Sequence, residues 1–252
     1  MSNKNTKRGR QWEEGVVLPI SDSFFITKDK ARVPITEKVY KELRRMILND
    51  EIDPGSWLRQ DTLTRQLGVS STPVREALRT LHREGLVDII PNYGVKVSDL
   101  SIEEFEEIYA LRKGIEGLAA RRGVMKLSLE KLSTLKAMYE DLVPLADHAT
   151  LAKYLKDEWH FRYWLYERVK REAFLSQIRD LRERAERYLR YAYIKENSIH
   201  TSLEFHHELL WHCEKGDPEK AEIVVQRALN WTLETAGPII ASKLKEHEGE
   251  WE

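Results

Sequence analysis

Residues 67–78, with the sequence LGVSSTPVREAL, decide the fold of this 252-residue chain. Gly68 accommodates the positive φ that a tight turn between two helices requires. The hydroxyl side chains at positions 70–72 can cap the N-terminus of a new helix. Pro73 suits the first position of that helix, because its missing N–H costs no hydrogen bond there. We therefore predict the turn and second helix of a helix-turn-helix.

The predicted second helix has two distinct faces. Apolar residues recur at helical spacing on one face, at Val74, Ala77, Leu78 and Leu81. The opposite face carries Thr72, Arg75, Arg79 and Arg83. A cationic edge of this kind suits the major groove of double-stranded DNA.

Short elements on both sides of this motif complete a winged helix-turn-helix over residues 33–98. Apolar periodicity and turn residues define these elements. Before the turn at Gly68 they are helices over 35–48 and 60–67, separated by the turn Asp53-Pro54-Gly55. The second helix of the helix-turn-helix ends near Gly85, and strands over 87–90 and 95–97 follow it.

Residues 1–32 are expected to form a flexible basic tail, because they are polar and carry Lys4, Lys7, Arg8 and Arg10 near their start. A second interpretation is a basic arm that follows DNA phosphates. The apolar clusters at 16–18 and 24–26 could also dock part of this segment on the folded domain.

Residues 101–245 show helical periodicity without a strand pattern, which predicts an all-helical antiparallel bundle. A capping box at 101–104 opens its first helix. The apolar side of that helix is expected to carry Phe105, Ile108, Leu111, Ile115 and Leu118. Further helices are expected at about 128–143, 150–168, 172–195, 199–214 and 218–244. The predicted fold class is mainly α, with a winged helix-turn-helix followed by a bundle for effector binding and dimerisation.

Composition excludes several classes of protein. Lys and Arg number 41 and Asp and Glu 42, so any DNA contact depends on the local placement of cations rather than on bulk charge. No apolar run approaches the ~20 residues that cross a bilayer. The lack of such a run predicts no membrane partner. The single cysteine, Cys213, cannot form an internal disulfide, so we expect a cytoplasmic protein. The chain carries no phosphate loop, nucleophile elbow or paired metal motif, so we expect no enzyme.

The chain resembles the GntR family of bacterial transcription regulators, in the FadR-type branch with a helical C-terminal ligand domain of the FCD kind. The N-terminal resemblance rests on Pro54-Gly55, Leu58, Leu63 and the segments 67–70, 72–78, 84–87 and 94–97. The C-terminal resemblance rests on Leu111-Arg112, Glu116, Trp159-His160, His206, Gly216-Asp217 and Ala221. The resemblance implies a homodimer that binds a short palindromic operator. It also implies a small organic acid as effector, and repression is the more common mode of regulation in the family.

The candidate DNA contacts lie on the second helix, the helix before it and the wing. Arg75 matches a family position that contacts operator DNA, which suits guanine O6 and N7. The family usually carries Arg where this chain has Ser71, so one base contact is missing or replaced. The full candidate set is Arg65, Ser70, Ser71, Thr72, Arg75, Arg79, Tyr93 and Lys96.

Arg112 is the principal candidate for effector binding. It lies between Ile108 and Ile115 on an apolar helix side, and Glu116 follows one turn later. One interpretation is a structural ion pair between Arg112 and Glu116. The other, which the resemblance favours, is a cation that awaits the carboxylate of the effector. The candidate effector residues are Arg112, Glu116, Lys156, His160 and His206.

A divalent metal, zinc or nickel, is a further possible occupant of the bundle. Metal-binding members of the family carry an Asp four residues before the first ligating His, where this chain has Lys156. Their last His aligns with Ala228. The remaining candidate ligands are Asp157, His160 and His206. Lys156 also allows a cation to replace the metal and to neutralise an effector acid directly.

The leading prediction is therefore a ligand-responsive, DNA-binding transcriptional regulator of the repressor type. Two alternatives stay open. One is a metal-dependent enzyme that uses the group Asp157, His160 and His206. The other is a DNA-binding dimer without an effector, in which the helical bundle is purely structural.

Overall fold

The structure is a computed structural model that describes Val16, residues 18–20, Phe24, residues 33–194 and residues 197–249. The chain divides into two compact units between Leu100 and Ser101. The four basic residues near the start of the predicted tail lie outside the described residues. In the part of the chain that is described, no helix is both long and apolar enough to cross a membrane.

The first unit combines three helices with a three-stranded sheet over residues 33–100. Its elements are α1 (Ile35–Leu48), β1 (Trp57–Leu58), α2 (Gln60–Leu67), α3 (Ser71–Arg83), β2 (Val87–Ile90) and β3 (Gly94–Val97). The central strand β3 pairs antiparallel with both neighbours, with Trp57 opposite Lys96 and Val87 opposite Val97. The sequence pattern does not predict β1, because two residues are too few to show an alternation.

The core of the first unit forms where the apolar face of α3 packs on α1. Val74, Ala77 and Leu81 are fully buried, and they contact a helix whose Leu43 and Met46 are also fully buried. The turn before α3 depends on Gly68, which ends α2 with a φ of 65°. Burial of apolar surface contributes about 25 cal/mol per Å², so this interface contributes to the stability of the unit.

The start of α3 differs from the prediction. The helix begins at Ser71, so Pro73 occupies its third position rather than its first. Proline is tolerated there because the first four N–H groups of a helix have no partner within the helix. Ser70 is the N-cap residue by position, but its side chain accepts no capping hydrogen bond.

Part of the segment predicted to be a flexible tail packs on this core. Leu18 is buried, and its N–H donates to Gln66 Oε1 at 2.7 Å. Gln66 Nε2 in turn donates to the carbonyl of Val16 at 3.1 Å. Ile20 and Phe24 pack against the same core. These contacts agree with the docking interpretation of the apolar clusters.

The described residues of the second unit form helices joined by short turns, without a strand. Its helices are α4 (Ile102–Val124), α5 (Leu129–Leu142), α6 (Leu145–His148), α7 (Leu151–Tyr166), α8 (Glu172–Leu189), α9 (Ser198–Lys215) and α10 (Pro218–Gly249). Short 3₁₀ segments, Glu167–Val169 and Arg190–Tyr193, follow α7 and α8. The long helices α4 and α10 pack along each other and form the spine of the unit.

The buried face of α4 corrects the predicted apolar stripe. Leu111 is 58% exposed, whereas Arg112 and Glu116 are completely buried. The helix can turn these charged side chains inward because each finds an ionic partner inside the unit. The predicted N-cap is present, since Ser101 Oγ accepts a hydrogen bond from the N–H of Glu104 at 3.0 Å.

We predict that Gly123→Ala destabilises the second unit by about 2 kcal/mol or more. A Cβ at Gly123 would lie 2.5 Å from the backbone oxygen of Leu165, so α4 and α7 would have to separate. A Cβ at Gly114, on the same helix, would meet nothing beyond its own helix backbone within 4 Å. Gly114→Ala is therefore the matched control, and it should raise stability by about 0.5–1 kcal/mol. Urea unfolding followed by circular dichroism measures both, and equal effects of the two variants would contradict this close packing.

Candidate DNA interface and candidate effector site

The exposed face of α3 carries the predicted cations. The side chains of Arg75 and Arg79 are 53% and 59% exposed. Arg79 Nη1 donates to Glu76 Oε1 at 2.9 Å, and Arg75 Nε lies 4.0 Å from the same oxygen. Exposed ion pairs of this kind are worth about 0–1 kcal/mol, so both guanidinium groups can leave Glu76 for a DNA anion.

The N-terminus of α3 is polar and open. Ser70, Ser71 and Thr72 are all exposed. Because the Ser70 side chain does not cap the helix, the first N–H groups of α3 are not satisfied by it. Such a helix end favours a phosphate oxygen through both its N–H groups and its dipole.

The wing and α2 both contribute residues to the lining of one groove. This groove has a volume of about 430 Å³, and its lining includes Arg65 from α2 and Tyr93 from the turn before β3. The Tyr93 side chain is 58% exposed. Arg59 lines the same groove, and it is not predicted from the sequence because it precedes α2 rather than lying on its periodic face. Lys96 is held separately, by a 2.7 Å hydrogen bond from its ammonium to Asp99.

The second unit buries an ionic network centred on Glu116. Arg112 Nε donates to Glu116 Oε1 at 2.6 Å, while Arg162 Nη1 donates to Oε2 at 3.3 Å. The hydroxyl of Tyr166 donates to the same Oε2 at 3.2 Å. All four side chains are buried. Both oxygens of this carboxylate are therefore occupied.

Glu158 extends the network from α7 to α9. Arg162 holds both of its oxygens, with Nε to Oε2 at 2.9 Å and Nη2 to Oε1 at 3.2 Å. His206 Nε2 lies 3.3 Å from Oε2. Burial raises the pKa of Glu158, but the charge of Arg162 and the hydrogen bond from His206 lower this pKa by more than burial raises it. The pKa lies well below its usual range, so this carboxylate is ionised.

Several polar atoms beside this network lack a partner. Arg112 Nη1 and Nη2, the Tyr109 hydroxyl and His206 Nδ1 are buried without a hydrogen bond among the described residues. The Arg112 guanidinium also stacks on the Tyr109 ring, 4.7 Å from its centroid. Since buried polar groups are almost always paired, these atoms mark a candidate ligand site.

A small cavity of about 20 Å³ adjoins these unpaired groups. Tyr109, Arg112, Glu158, Arg162 and His206 supply its polar end. Its remaining lining is apolar or hydroxylic: Leu189, Tyr193, Ser202, Phe205, Ala228, Leu229, Trp231 and Thr232. This volume suits about one water molecule, so the site is closed in this conformation.

Four predicted effector or metal residues do not line this cavity, namely Glu116, Lys156, Asp157 and His160. Lys156 and His160 are exposed, and the Asp157 carboxylate pairs with Lys153 at 2.6 Å. The inward row of α7 is instead Tyr154, Glu158, Phe161, Arg162 and Leu165. Helical spacing turns Lys156 and His160 away from this inward row, so the structure does not place them beside Arg112 and His206.

A divalent metal does not fit this bundle. The structure brings no group of three or more His, Cys, Asp or Glu side chains together for a metal, within the residues it describes. Of the candidate ligands Asp157, His160 and His206, only His206 is buried. The nearby Glu158 is bound on both oxygens by Arg162, and Ala228 offers no donor where the family has its last His.

Four residues of the network and the adjoining cavity are not predicted from the sequence: Tyr109, Glu158, Arg162 and Tyr166. In the sequence they look like general packing or surface positions. Glu158 and Arg162 do carry a signal, because an acid and a base four residues apart form an ion pair on one helix face. That spacing occurs mostly on solvated faces, so it does not by itself indicate burial.

Two family models match the chain. The model for bacterial regulatory proteins of the gntR family matches residues 35–97, and the FCD domain model matches residues 107–230. The first match contains α1 to β3, including the exposed face of α3. The second contains Arg112, Glu116, Glu158, Arg162 and His206.

Individual relatives point to the same class of protein. An HTH-type transcriptional regulator in an unstable DNA locus of Streptomyces ambofaciens is 31% identical over 57% of this chain and 72% of its own length. YdhC of Bacillus subtilis, an HTH-type transcriptional regulator, is 31% identical over 43% of this chain, but the match spans only 48% of YdhC. The solved structure of Escherichia coli McbR/YncC has the same fold, with a TM-score of 0.64 at 24% identity over 84% of this chain and 99% of McbR.

We predict that Glu158→Gln lowers the free energy of unfolding at pH 7 by about 3 kcal/mol, because it leaves Arg162 buried without its principal anion. Since folding depresses the pKa of Glu158, its stabilisation is present above about pH 4.5 and is lost as the pH falls towards the folded value. The variant should therefore show a weaker loss of stability between pH 6 and pH 3 than the wild type.

Urea titrations across this pH range measure the effect. Asp157→Asn is the matched control, because it removes the neighbouring carboxylate, which is paired with Lys153 outside the buried network. Unchanged stability and an unchanged pH slope in Glu158→Gln would show that the buried pair does not stabilise the unit.

Proposed function

Because the chain belongs to the GntR family of bacterial regulatory proteins and carries an FCD domain, we propose that it is a cytoplasmic transcriptional repressor that responds to a small organic acid. The observation that carries the DNA-binding part is the exposed cationic face of α3, opposite a completely buried apolar face. The observation that supports an effector is the buried and partly unpaired guanidinium of Arg112.

In the proposed complex, α3 enters the major groove of the operator. Arg75 reads a guanine through O6 and N7, and Arg79 contacts the adjacent base or backbone. Ser70 and Thr72 place the helix N-terminus against a phosphate. Ser71 is too short for a bidentate base contact, so this position contributes less to sequence preference than an arginine would.

The wing and α2 supply the backbone contacts of the proposal. Arg65 and Tyr93 line one groove, which suits a single strand of the DNA backbone. Lys96 exchanges its exposed ion pair with Asp99 for a phosphate. These contacts fix the register of α3 but carry little sequence information.

A homodimer on a palindromic operator completes the mechanism. Two copies of α3 must then lie about one helical turn of DNA apart, roughly 34–36 Å. The effector binds beside Arg112 and His206 and favours a bundle conformation in which this spacing is lost. Operator affinity falls as a result.

The two alternative functions lack comparable support. The relatives and the matching families are transcriptional regulators, and the group Asp157, His160 and His206 is not assembled for metal catalysis. A regulator without an effector does not explain why two nitrogens of Arg112 remain buried and unpaired.

We predict that Arg75→Ala weakens specific DNA binding by at least about tenfold, because it removes one bidentate base contact worth roughly 1–3 kcal/mol. The probe is a duplex that the wild-type protein selects from a random pool, and gel-shift titration measures its affinity. Sequence preference at the contacted base pair should also relax.

Arg122→Ala is the matched control, since Arg122 is an exposed arginine of the second unit and its loss changes the net charge equally. It should leave the affinity within about twofold. Equal affinity of Arg75→Ala and wild type would remove Arg75 from the interface, and failure of the wild type to enrich any sequence would contradict the proposed function itself.

A further inference from the structure

We infer that the effector site takes a singly charged carboxylate with an apolar body and binds it directly through Arg112, without a metal ion. This inference rests on the proposed function of the second unit as an effector domain. It names the class of ligand and the atoms that recognise it.

The free donors fix the charged end of the ligand. Arg112 uses only Nε in its bond to Glu116, so Nη1 and Nη2 remain as a parallel pair of donors. A planar carboxylate matches this fork with two hydrogen bonds. The Tyr109 hydroxyl, which is also buried and unpaired, adds a neutral donor beside it.

The neighbouring charges leave room for only one carboxylate. Arg162 is the other guanidinium that lines the cavity, and its nitrogens already bind Glu158 and Glu116. Arg182 is buried too, but it does not line the cavity. A second carboxylate on the same ligand would meet Glu158 or an apolar wall.

The rest of the lining determines the body of the ligand. Leu189, Phe205, Leu229 and Trp231 are apolar or aromatic. The hydroxyls near them are already bonded, Tyr193 to Ser202 at 3.1 Å and Thr232 to the carbonyl of Ala228 at 3.2 Å. His206 Nδ1 offers one further hydrogen bond at the polar end.

The positive charge of arginine takes the role that a metal ion would have. A metal in this bundle would need carboxylate and imidazole ligands that converge with free lone pairs. Here Arg162 covers both oxygens of Glu158, and His206 directs Nε2 towards that same carboxylate. The donor set therefore recognises an anion rather than a cation.

The experiment compares matched small probes on the full-length protein, before and after treatment with the neutral chelator 1,10-phenanthroline and dialysis to remove metals. Calorimetry and thermal denaturation measure the binding of benzoate, of benzamide, which lacks the charge, and of terephthalate, which adds a second one. We expect benzoate to bind at least about tenfold more tightly than either, and equally well before and after metal removal. Tighter binding of terephthalate, a requirement for added Zn²⁺ or Ni²⁺, or no binding of benzoate would overturn the inference.

Tyr109→Phe tests the recognition atoms without breaking a contact of the free protein. Because the Tyr109 hydroxyl has no partner among the described residues, its removal should keep or raise the melting temperature while weakening benzoate about tenfold, as expected for one hydrogen bond to a charged group. Tyr139→Phe is the control, since Tyr139 does not line the cavity. Equal benzoate affinity in Tyr109→Phe and Tyr139→Phe would contradict the assigned geometry.

Gel shifts with the selected duplex separate this inference from the proposed function. Specific DNA binding without benzoate binding would refute the ligand class and leave the regulator intact. Benzoate binding without any selected DNA sequence would support the ligand class and contradict the proposed function as a DNA-binding regulator.

Discussion

The second unit depends on the carboxylate of Glu116. This single group accepts hydrogen bonds from Arg112, Arg162 and Tyr166, and it is completely buried. Burial of charged groups is costly, and removal of one partner from such a network leaves an uncompensated charge worth about 3–5 kcal/mol. The network therefore holds α4 and α7 in one register and determines which guanidinium nitrogens stay free.

The same constraint produces the candidate site. Because Glu116 takes Nε of Arg112 and one nitrogen of Arg162, the remaining nitrogens of Arg162 turn to Glu158 and those of Arg112 have no anion among the described residues. Glu158 then fixes His206 through Nε2. The position of each unpaired donor thus follows from the ion pairs around it, and those pairs lie on rigid helices rather than on loops.

The sequence predicted the first unit well and the second unit only in outline. Amphipathic periodicity placed α1, α2 and α3, because each of these helices buries an apolar stripe and exposes a polar face. On α4 the same reasoning failed, since the buried row contains Arg112 and Glu116 while Leu111 is exposed. Hydrophobicity alone cannot show that charges on two different helices pair in the interior.

The closed cavity connects recognition of an acid to a change of conformation. Its volume of about 20 Å³ excludes any carboxylic acid with an apolar body, so binding requires helices that line it to move apart. A ligand shifts a conformational equilibrium only when it binds one state better than the other, and here the closed state cannot bind at all. The donors of Arg112 and Tyr109 have no partner among the described residues in the closed state, and a buried donor without a partner costs about 1–3 kcal/mol. A carboxylate that accepts hydrogen bonds from these donors in an opened bundle therefore forms bonds that the closed bundle lacks, and this difference favours binding to the open state.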